Sequence, residues 1–600
     1  MNPKMKLLGM LLLVMIASPL AFCTSQTPLA ATETALPGIS NPSKEETPTL
    51  AERNPQASAN PDEPAGAASI TIQADGAATP INACLLGTNL PAWLGADRLE
   101  NVTFQARTIA SGVSLIRLPG GSWSNWYPWL DCEQNKDAVC ESWIADPTDF
   151  INFLNDTGLP GMWTVNANAT SKEAAALVAF MNGAVNDDTV IGVDVQGEDW
   201  GTVGDWAQLR ADNGNPAPVG IQFWEIGNEI YGGKSGLGTD CLPWGWEDVW
   251  TCDGTEYVNG IGSGANRKEG FIEFRAAMQA VDPSILVGAV GIYPQSDYAN
   301  WGNEVITAGG EVMDFYILHH YAFFEVPANM QEALSQPQGV WDAMRNGVDT
   351  AFNQHAGGRD VPYAVTEYNL FSVQELDTGQ WMSRGVNALS MADTMGQMME
   401  NGFDIANQWV LAHETTGNPP GYGLMNADTF FRAPQYYVFP LWARFGSEML
   451  PVTNSENPAT TLSVYAGRVD GNTLSLLAIN KTGNPISVSI LLDGVSGVAG
   501  GWVDVVQAQS LNATTITYNG SSDPSNDLSS APSVTLTDLT LPIGHTFPAY
   551  SITLIRMGVS SGSSLTPGGA HFALAGAFES FLPTVLGGEG EGATALVCGE

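Results

Sequence analysis

Basic residues are scarce in this chain. Its 600 residues hold 22 Lys and Arg against 63 Asp and Glu, a formal net charge of −41. Lysine occurs at only eight positions, and two of them, Lys4 and Lys6, sit near the N-terminus. Charged residues are only 14% of the total, so the excess of acid reflects missing bases. Phosphate binding needs clustered Lys and Arg, which argues against nucleic acid as a partner. An anionic membrane surface or a polyanionic substrate is disfavoured for the same reason. Histidine is also rare, at six positions, and no CxxC pair occurs among the seven cysteines. His319 and His320 are adjacent, so on a strand they point apart, and no metal site is expected.

Long apolar runs are missing as well. Leu7–Ile16 is the h-region of an export signal behind Lys4 and Lys6, too short for a spanning helix of about 20 residues. Ala21-Phe22-Cys23 reads as a cleavage site. Leu20–Cys23 also resembles a bacterial lipobox, which would place a lipid anchor on Cys23. Phe22 is bulky where that motif takes a small residue, so plain secretion is preferred and a cell-surface anchor is the alternative.

What is present is apolar and aromatic. Hydrophobic residues make up 44%, with 18 Trp, 15 Tyr and 22 Phe, enough for a large core and for sugar-stacking surfaces. A neutral ligand fits this surface best. Export permits disulfides, and Cys132/Cys140 and Cys241/Cys252, each pair close in a loop-like stretch, are expected as two local staples. Cys84 lies in an apolar run and is expected as a core residue.

The texture of the chain divides it into an export signal (1–23), a Thr/Pro/Ala-rich linker (24–66), an α/β body (67–445), a Thr/Ser/Val-rich β region (446–557), and a linker with an apolar tail of unassigned role (558–600). Short β-like runs alternate with amphipathic stretches through the body. Strands are expected at Ala83–Asn89, Ser114–Leu118, Met162–Asn166, Ile221–Ile226, Ile285–Val290, Val312–His319, Tyr363–Thr366 and Ile405–Leu411. Helices are expected over 97–111, 147–157, 171–182 (with Ser171 as N-cap), 266–281 and 383–401. About eight β/α units point to an α/β fold, a (β/α)8 TIM barrel, with an open doubly wound sheet as the rival. The β region reads as a C-terminal β-sandwich, jelly-roll-like, to which Ser69–Ile72 adds a strand.

In such a barrel, chemistry gathers at the C-terminal ends of the strands. The expected fourth strand ends in Trp224-Glu225-Ile226-Gly227-Asn228-Glu229, and the seventh in Thr366-Glu367-Tyr368-Asn369. Each delivers a carboxylate to the same rim. Glycoside hydrolysis needs such a pair: one protonated to serve the leaving oxygen, the other ionised to attack or to activate water. A phosphate loop at Gly233-Lys234-Ser235 fails, because Asn228 stands where the first glycine belongs. Gly558-Val559-Ser560-Ser561-Gly562 matches a nucleophile elbow in letters but opens a Ser/Gly linker.

WEIGNE followed by TEYN resembles the retaining glycosidases of clan A. Further pieces resemble glycoside hydrolase family 51, the α-L-arabinofuranosidases: Ile116-Arg117-Leu118-Pro119-Gly120-Gly121 with Tyr127 and Trp129, Val165-Asn166 before the Glu173-Ala174-Ala175 helix, Leu318-His319-His320-Tyr321, Gln408, and Arg432–Tyr437. The resemblance implies Glu229 as general acid/base and Glu367 as nucleophile. It implies Asn228 on the sugar 2-hydroxyl, Tyr321 orienting Glu367, His319 and Arg117 on the site floor, and Asn166 and Gln408 as sugar contacts. Trp123 is a candidate stacking surface, with Trp126 beside it. Glu229 is expected to have a raised pKa, and Arg117 to lower that of Glu367. Two departures fall on substrate contacts. Ser122 and Trp123 stand where the family usually has Asn, and Gly87–Trp93 lacks the family's usual Glu.

The expectation is a secreted retaining exo-glycosidase acting on neutral plant-type polysaccharide or oligosaccharide, an α-L-arabinofuranosidase without a cofactor. The rivals are an endo-β-glycanase of the same clan and a non-catalytic carbohydrate-binding surface protein.

Overall fold

The computed structural model describes residues 68–561, except 136–139, 142, 235–240 and 414–420. The expected export signal, Cys23, the linker at 24–66 and the tail beyond 561 lie outside the described residues. Eight parallel strands close into a barrel: Gly87–Asn89, Leu115–Leu118, Gly161–Val165, Phe223–Ile226, Leu286–Val290, Phe315–Phe323, Tyr363–Phe371 and Ile405–Gln408. The last pairs with the first, Gln408 beside Thr88, which excludes the open sheet.

Side-chain alternation along these strands builds two interior layers. Leu115, Met162, Phe223, Phe315, Ile317, Ala364 and Ile405 form a small apolar cluster inside the barrel. Two residues further along their strands, Arg117, Thr164, Glu225, His319 and Thr366 form a polar layer above it. The intervening residues, including Ile116, Trp163, Trp224, Leu318 and Val365, belong to the large outer core with the helices.

Local signals explain most element ends. Asp146 and Asp149 form a reciprocal capping box at Pro147–Thr157, and Gly158 closes that helix at φ 68°. The helix Ser171–Asn182 is capped by Thr170, one residue before the expected Ser171; the Thr170 hydroxyl accepts from the Glu173 amide. Ala83–Leu86, expected as strand, is a 3-10 turn, because the Asn82 side chain accepts from the Cys84 amide and turns the chain. The helix expected over 266–281 begins at Phe271. Helices at Val203–Asp212, Asp297–Gly309 and Pro337–His355 were not legible in the sequence.

Beyond the barrel, two sheets enclose a second core. Ala68–Gln73 pairs with Ile486–Asp493 in parallel and with Val452–Asn454 in antiparallel register, so the chain's first described strand does complete the sandwich. Ile70, Ile72, Ile490 and Leu492 face Leu474, Leu476, Ile555 and Met557 of the larger sheet. A buried ion pair joins sandwich to barrel: Lys481 Nζ lies 2.7 Å from Asp393 Oδ2, on the helix Gly385–Glu400, with neither side chain exposed.

Cys132–Cys140 and Cys241–Cys252 are disulfide-bonded, as their spacing suggested. Cys84 is buried but is itself disulfide-bonded rather than a free core thiol. Among the described residues, no helix is long and apolar enough to cross a membrane.

Candidate active site

Arg117 organises the floor of the barrel mouth. It is fully buried at the end of the second barrel strand. Its Nε donates to Glu225 Oε2 at 2.6 Å, Nη1 to Asn89 Oδ1 at 2.8 Å and to Glu367 Oε1 at 2.9 Å, and Nη2 to Asn228 Oδ1 at 2.8 Å. Burial opposes its charge, but Glu225 and Glu367 outweigh that and raise its pKa. Glu225 was missed in the sequence reading. Two residues after Phe223 on a barrel strand, it faces the same interior, and it also accepts from Thr164 and Thr366 at 2.8 Å each.

Glu367 reaches the same point from the seventh strand. Its other oxygen accepts from the Tyr321 hydroxyl at 2.7 Å. Glu229 follows the fourth strand in a left-handed conformation, φ 42° and ψ 38°, a strained state for a residue with a side chain. Gly227, at φ 80°, makes the preceding turn; a Cβ there would lie 2.5 Å from Ile230 Cδ1. Three donors hold the Glu229 carboxylate: His319 Nδ1 at 2.9 Å and Tyr231 at 3.1 Å on Oε1, and Trp246 Nε1 at 2.6 Å on Oε2. His319 Nε2 lies 3.0 Å from the Thr366 hydroxyl.

The protonation pattern differs from the expected one. Burial would raise Glu229, but the hydrogen bond and charge of His319, with Trp246 and Tyr231, outweigh it and hold Glu229 below the ordinary carboxylate value. For Glu367, burial wins over His319 and Arg117 and raises the pKa, so Arg117 moderates the shift without reversing it. His319 is raised despite burial, because Glu367 and Glu229 both favour the imidazolium. The two carboxylates thus favour the imidazolium of His319, which lies between them.

Asn228 is held at both ends of its amide, by Arg117 and by Glu247. Glu247 is fully buried and accepts from Ser122 Oγ at 2.6 Å, Asn125 Nδ2 at 2.8 Å and Asn228 Nδ2 at 3.0 Å. Burial, with the nearby charge of Glu229, pushes its pKa up to about 8. No sequence signal marked Glu247 or Trp246. They lie in a loop far from the strand ends, and only the fold brings them to the site.

The remaining expected contacts are placed less favourably. Gln408 is fully buried, and its amide accepts from the Thr88 hydroxyl and donates to the Tyr422 carbonyl. Asn166 is half-buried, and its side-chain oxygen closes a turn on the Asn168 amide. Trp123 packs against Trp126 at 4.6 Å and Trp143 at 5.5 Å, and the latter two are 43% and 50% exposed. Tyr127 and Trp129 are buried packing residues.

Oxygen and nitrogen atoms of Glu229, His319 and Glu367 converge within 4.8 Å, close enough to hold a metal ion. The donor set opposes one: both carboxylates already accept from protein hydrogens, and a guanidinium lies 2.9 Å from Glu367. Arrays of neutral and cationic donors stabilise anions.

A closed (β/α)8 barrel carrying paired carboxylates after its fourth strand and on its seventh has the architecture of a glycoside hydrolase. The comparisons with known proteins narrow this. No family model matches the chain. An intracellular exo-α-(1→5)-L-arabinofuranosidase of Bifidobacterium longum is 23% identical over 302 residues, 46% of this chain and 46% of that protein. The chain thus spans about half the length of that relative. The fold matches a family 51 α-L-arabinofuranosidase of Thermotoga petrophila, with a TM-score of 0.62 at 19% identity, over 82% of this chain and all of the other. A family 44 xyloglucanase of Paenibacillus polymyxa shares the fold at a TM-score of 0.54 and 13% identity, over 82% of this chain and all of that one. In sequence and fold together, the chain resembles the family 51 α-L-arabinofuranosidases.

Proposed function

We propose that the protein is a retaining glycoside hydrolase that removes α-L-arabinofuranosyl residues from a neutral polysaccharide or oligosaccharide. The observation that carries this reading is the convergence of Glu229 and Glu367, with carboxylate oxygens within 4.8 Å. Retaining enzymes hold the pair about 5–5.5 Å apart, whereas inverting ones leave room for a water at about 6.5–9.5 Å. Glu367, oriented by Arg117 and Tyr321, attacks the anomeric carbon. Glu229 takes up the proton of His319, 2.9 Å away, and passes it to the departing glycosidic oxygen, which leaves Glu229 ionised. Glu229 then takes a proton from water as that water attacks the anomeric carbon and frees Glu367. Asn228, fixed by Arg117 and Glu247, is positioned for the sugar 2-hydroxyl. Two disulfides suit an oxidising compartment and support secretion.

Glu229→Gln and Glu367→Gln test this on an aryl α-L-arabinofuranoside, with proton NMR to follow the anomer released. Both variants are expected to lose at least about a thousandfold in kcat, and wild type to release the retained anomer. Near-wild-type turnover in either variant sinks the catalytic assignment. An inverted product sinks the double displacement alone. Release from an aryl xyloside or glucoside but not from the arabinofuranoside favours the endo-β-glycanase, and no release from any favours a binding protein.

A further inference from the structure

Trp246 does more than donate to Glu229. Trp244 stacks on it, with ring centroids 6.0 Å apart and planes inclined by 22°. Tyr298 lies against both, 6.1 Å from Trp244 and 5.9 Å from Trp246. It also lies 4.9 Å from Tyr231, the other aromatic donor to Glu229. Exposure rises along this wall. Tyr231 is buried, Trp246 and Tyr298 are half-buried, and Trp244 is 64% exposed. The wall therefore begins at the acid/base and runs outward to solvent.

The fold keeps the wall in place at some cost. Tyr298, Ala299 and Asn300 are three consecutive left-handed residues, φ 49°, 56° and 75°. Such left-handed residues are strained and persist only where their surroundings demand it. On the other side, Cys241–Cys252 cross-links the loop that carries Trp244 and Trp246. Gly245 between them packs so tightly that a Cβ would lie 2.2 Å from the Gly233 carbonyl oxygen. An exposed indole held this firmly beside a catalytic group is a binding surface, since stray exposed aromatics need no such bracing.

Its occupant follows from its position. Glu229 faces the glycosidic oxygen, so groups beyond it meet the leaving group and not the sugar being attacked. An indole face takes the C–H face of a sugar ring, and among the described residues the wall contains no cation that would select an acidic one. We propose that Trp244, Trp246 and Tyr298 form a leaving-group subsite for a neutral sugar ring. The proposal rests on the glycosidase reading above.

The test compares methyl α-L-arabinofuranoside, whose leaving group cannot reach the wall, with α-1,5-linked arabinotriose, whose leaving group spans it. Trp244→Ala is expected to lose about tenfold more kcat/KM on the trisaccharide than on the methyl glycoside, and Trp244→Phe to stay within about twofold of wild type on both. Equal losses on the two substrates, or no selective loss on the trisaccharide, overturn the subsite. If wild type cleaves neither substrate, the arabinofuranosidase reading fails, and calorimetric titration with arabinotriose decides the subsite separately: tight binding to wild type that Trp244→Ala weakens supports it, while unchanged or absent binding overturns it.

Discussion

The indole nitrogen of Trp246 donates to Oε2 of Glu229 at 2.6 Å. Trp246 belongs to no barrel strand. It comes from the loop closed by Cys241–Cys252, and its amide, like that of Glu247, donates to the Gly232 carbonyl. Two adjacent residues of one cross-linked loop thus brace Glu229 and Asn228.

Opening that loop should impair chemistry more than folding. Cys241→Ser with Cys252→Ser is expected to lower kcat about 10- to 100-fold, the scale on which small misplacements act. Circular dichroism should show the main thermal transition retained. Wild-type kcat in the double variant would show that the disulfide does not position Glu229.

Glu247 makes stability depend on pH. Its folded pKa of about 8 lies above the ordinary 4.5, so between these values the folded state binds the extra proton. Its contribution is complete below the ordinary value and is lost as pH rises toward 8, at up to about 1.4 kcal/mol per unit. Glu247→Gln keeps the shape and cannot ionise. Denaturant melts of wild type and variant between pH 5 and pH 8 should converge at the acid end and favour the variant at the alkaline end. Parallel curves would contradict a buried neutral acid here.

Activity should follow the titration of Glu367 and His319. Glu367 must be ionised to attack, so kcat/KM falls as pH drops through its raised pKa, above the ordinary carboxylate range. The alkaline limb follows loss of the proton on His319, raised above the ordinary imidazole value. His319→Gln removes that titration, so the alkaline limb should move. An unmoved limb would assign the proton elsewhere.

Arg117→Lys preserves charge but not the fork that reaches Glu225, Asn89, Glu367 and Asn228 at once. Steady-state kinetics should show kcat/KM lowered about 100- to 1000-fold, because a single ammonium cannot reach all four partners. A loss below tenfold would reduce Arg117 to a charge.

The Lys481–Asp393 pair offers a test away from the site. Lys481→Met leaves the buried Asp393 without its ion-pair partner, which costs about 3–5 kcal/mol. Lys481→Met with Asp393→Leu should recover most of it in the same denaturant melts. Failure to recover would place the value of Lys481 in its bonds to the Pro458 and Ala459 carbonyls.

The barrel strands, several helices and the two staples were legible because they depend on neighbours in sequence: short apolar runs between turn residues, helix formers such as Glu173-Ala174-Ala175, cysteines 8 and 11 residues apart. Glu229 and Glu367 were legible because each follows a short apolar run that reads as a strand. What only the tertiary structure decided is how they are aimed. Leu318 pairs with Val365, but His319 pairs with Glu367, so the seventh strand carries one extra residue at Thr366. The eighth strand shows the same shift, Ala406 with Val365 and Gln408 with Tyr368. In a regular strand Thr366 and Glu367 would face opposite sides, yet Thr366 bonds Glu225 and Glu367 bonds Arg117 in the same interior. Glu247 and Trp246 likewise carry no local mark, since their partners lie on other segments and only closure of the barrel mouth brings them together.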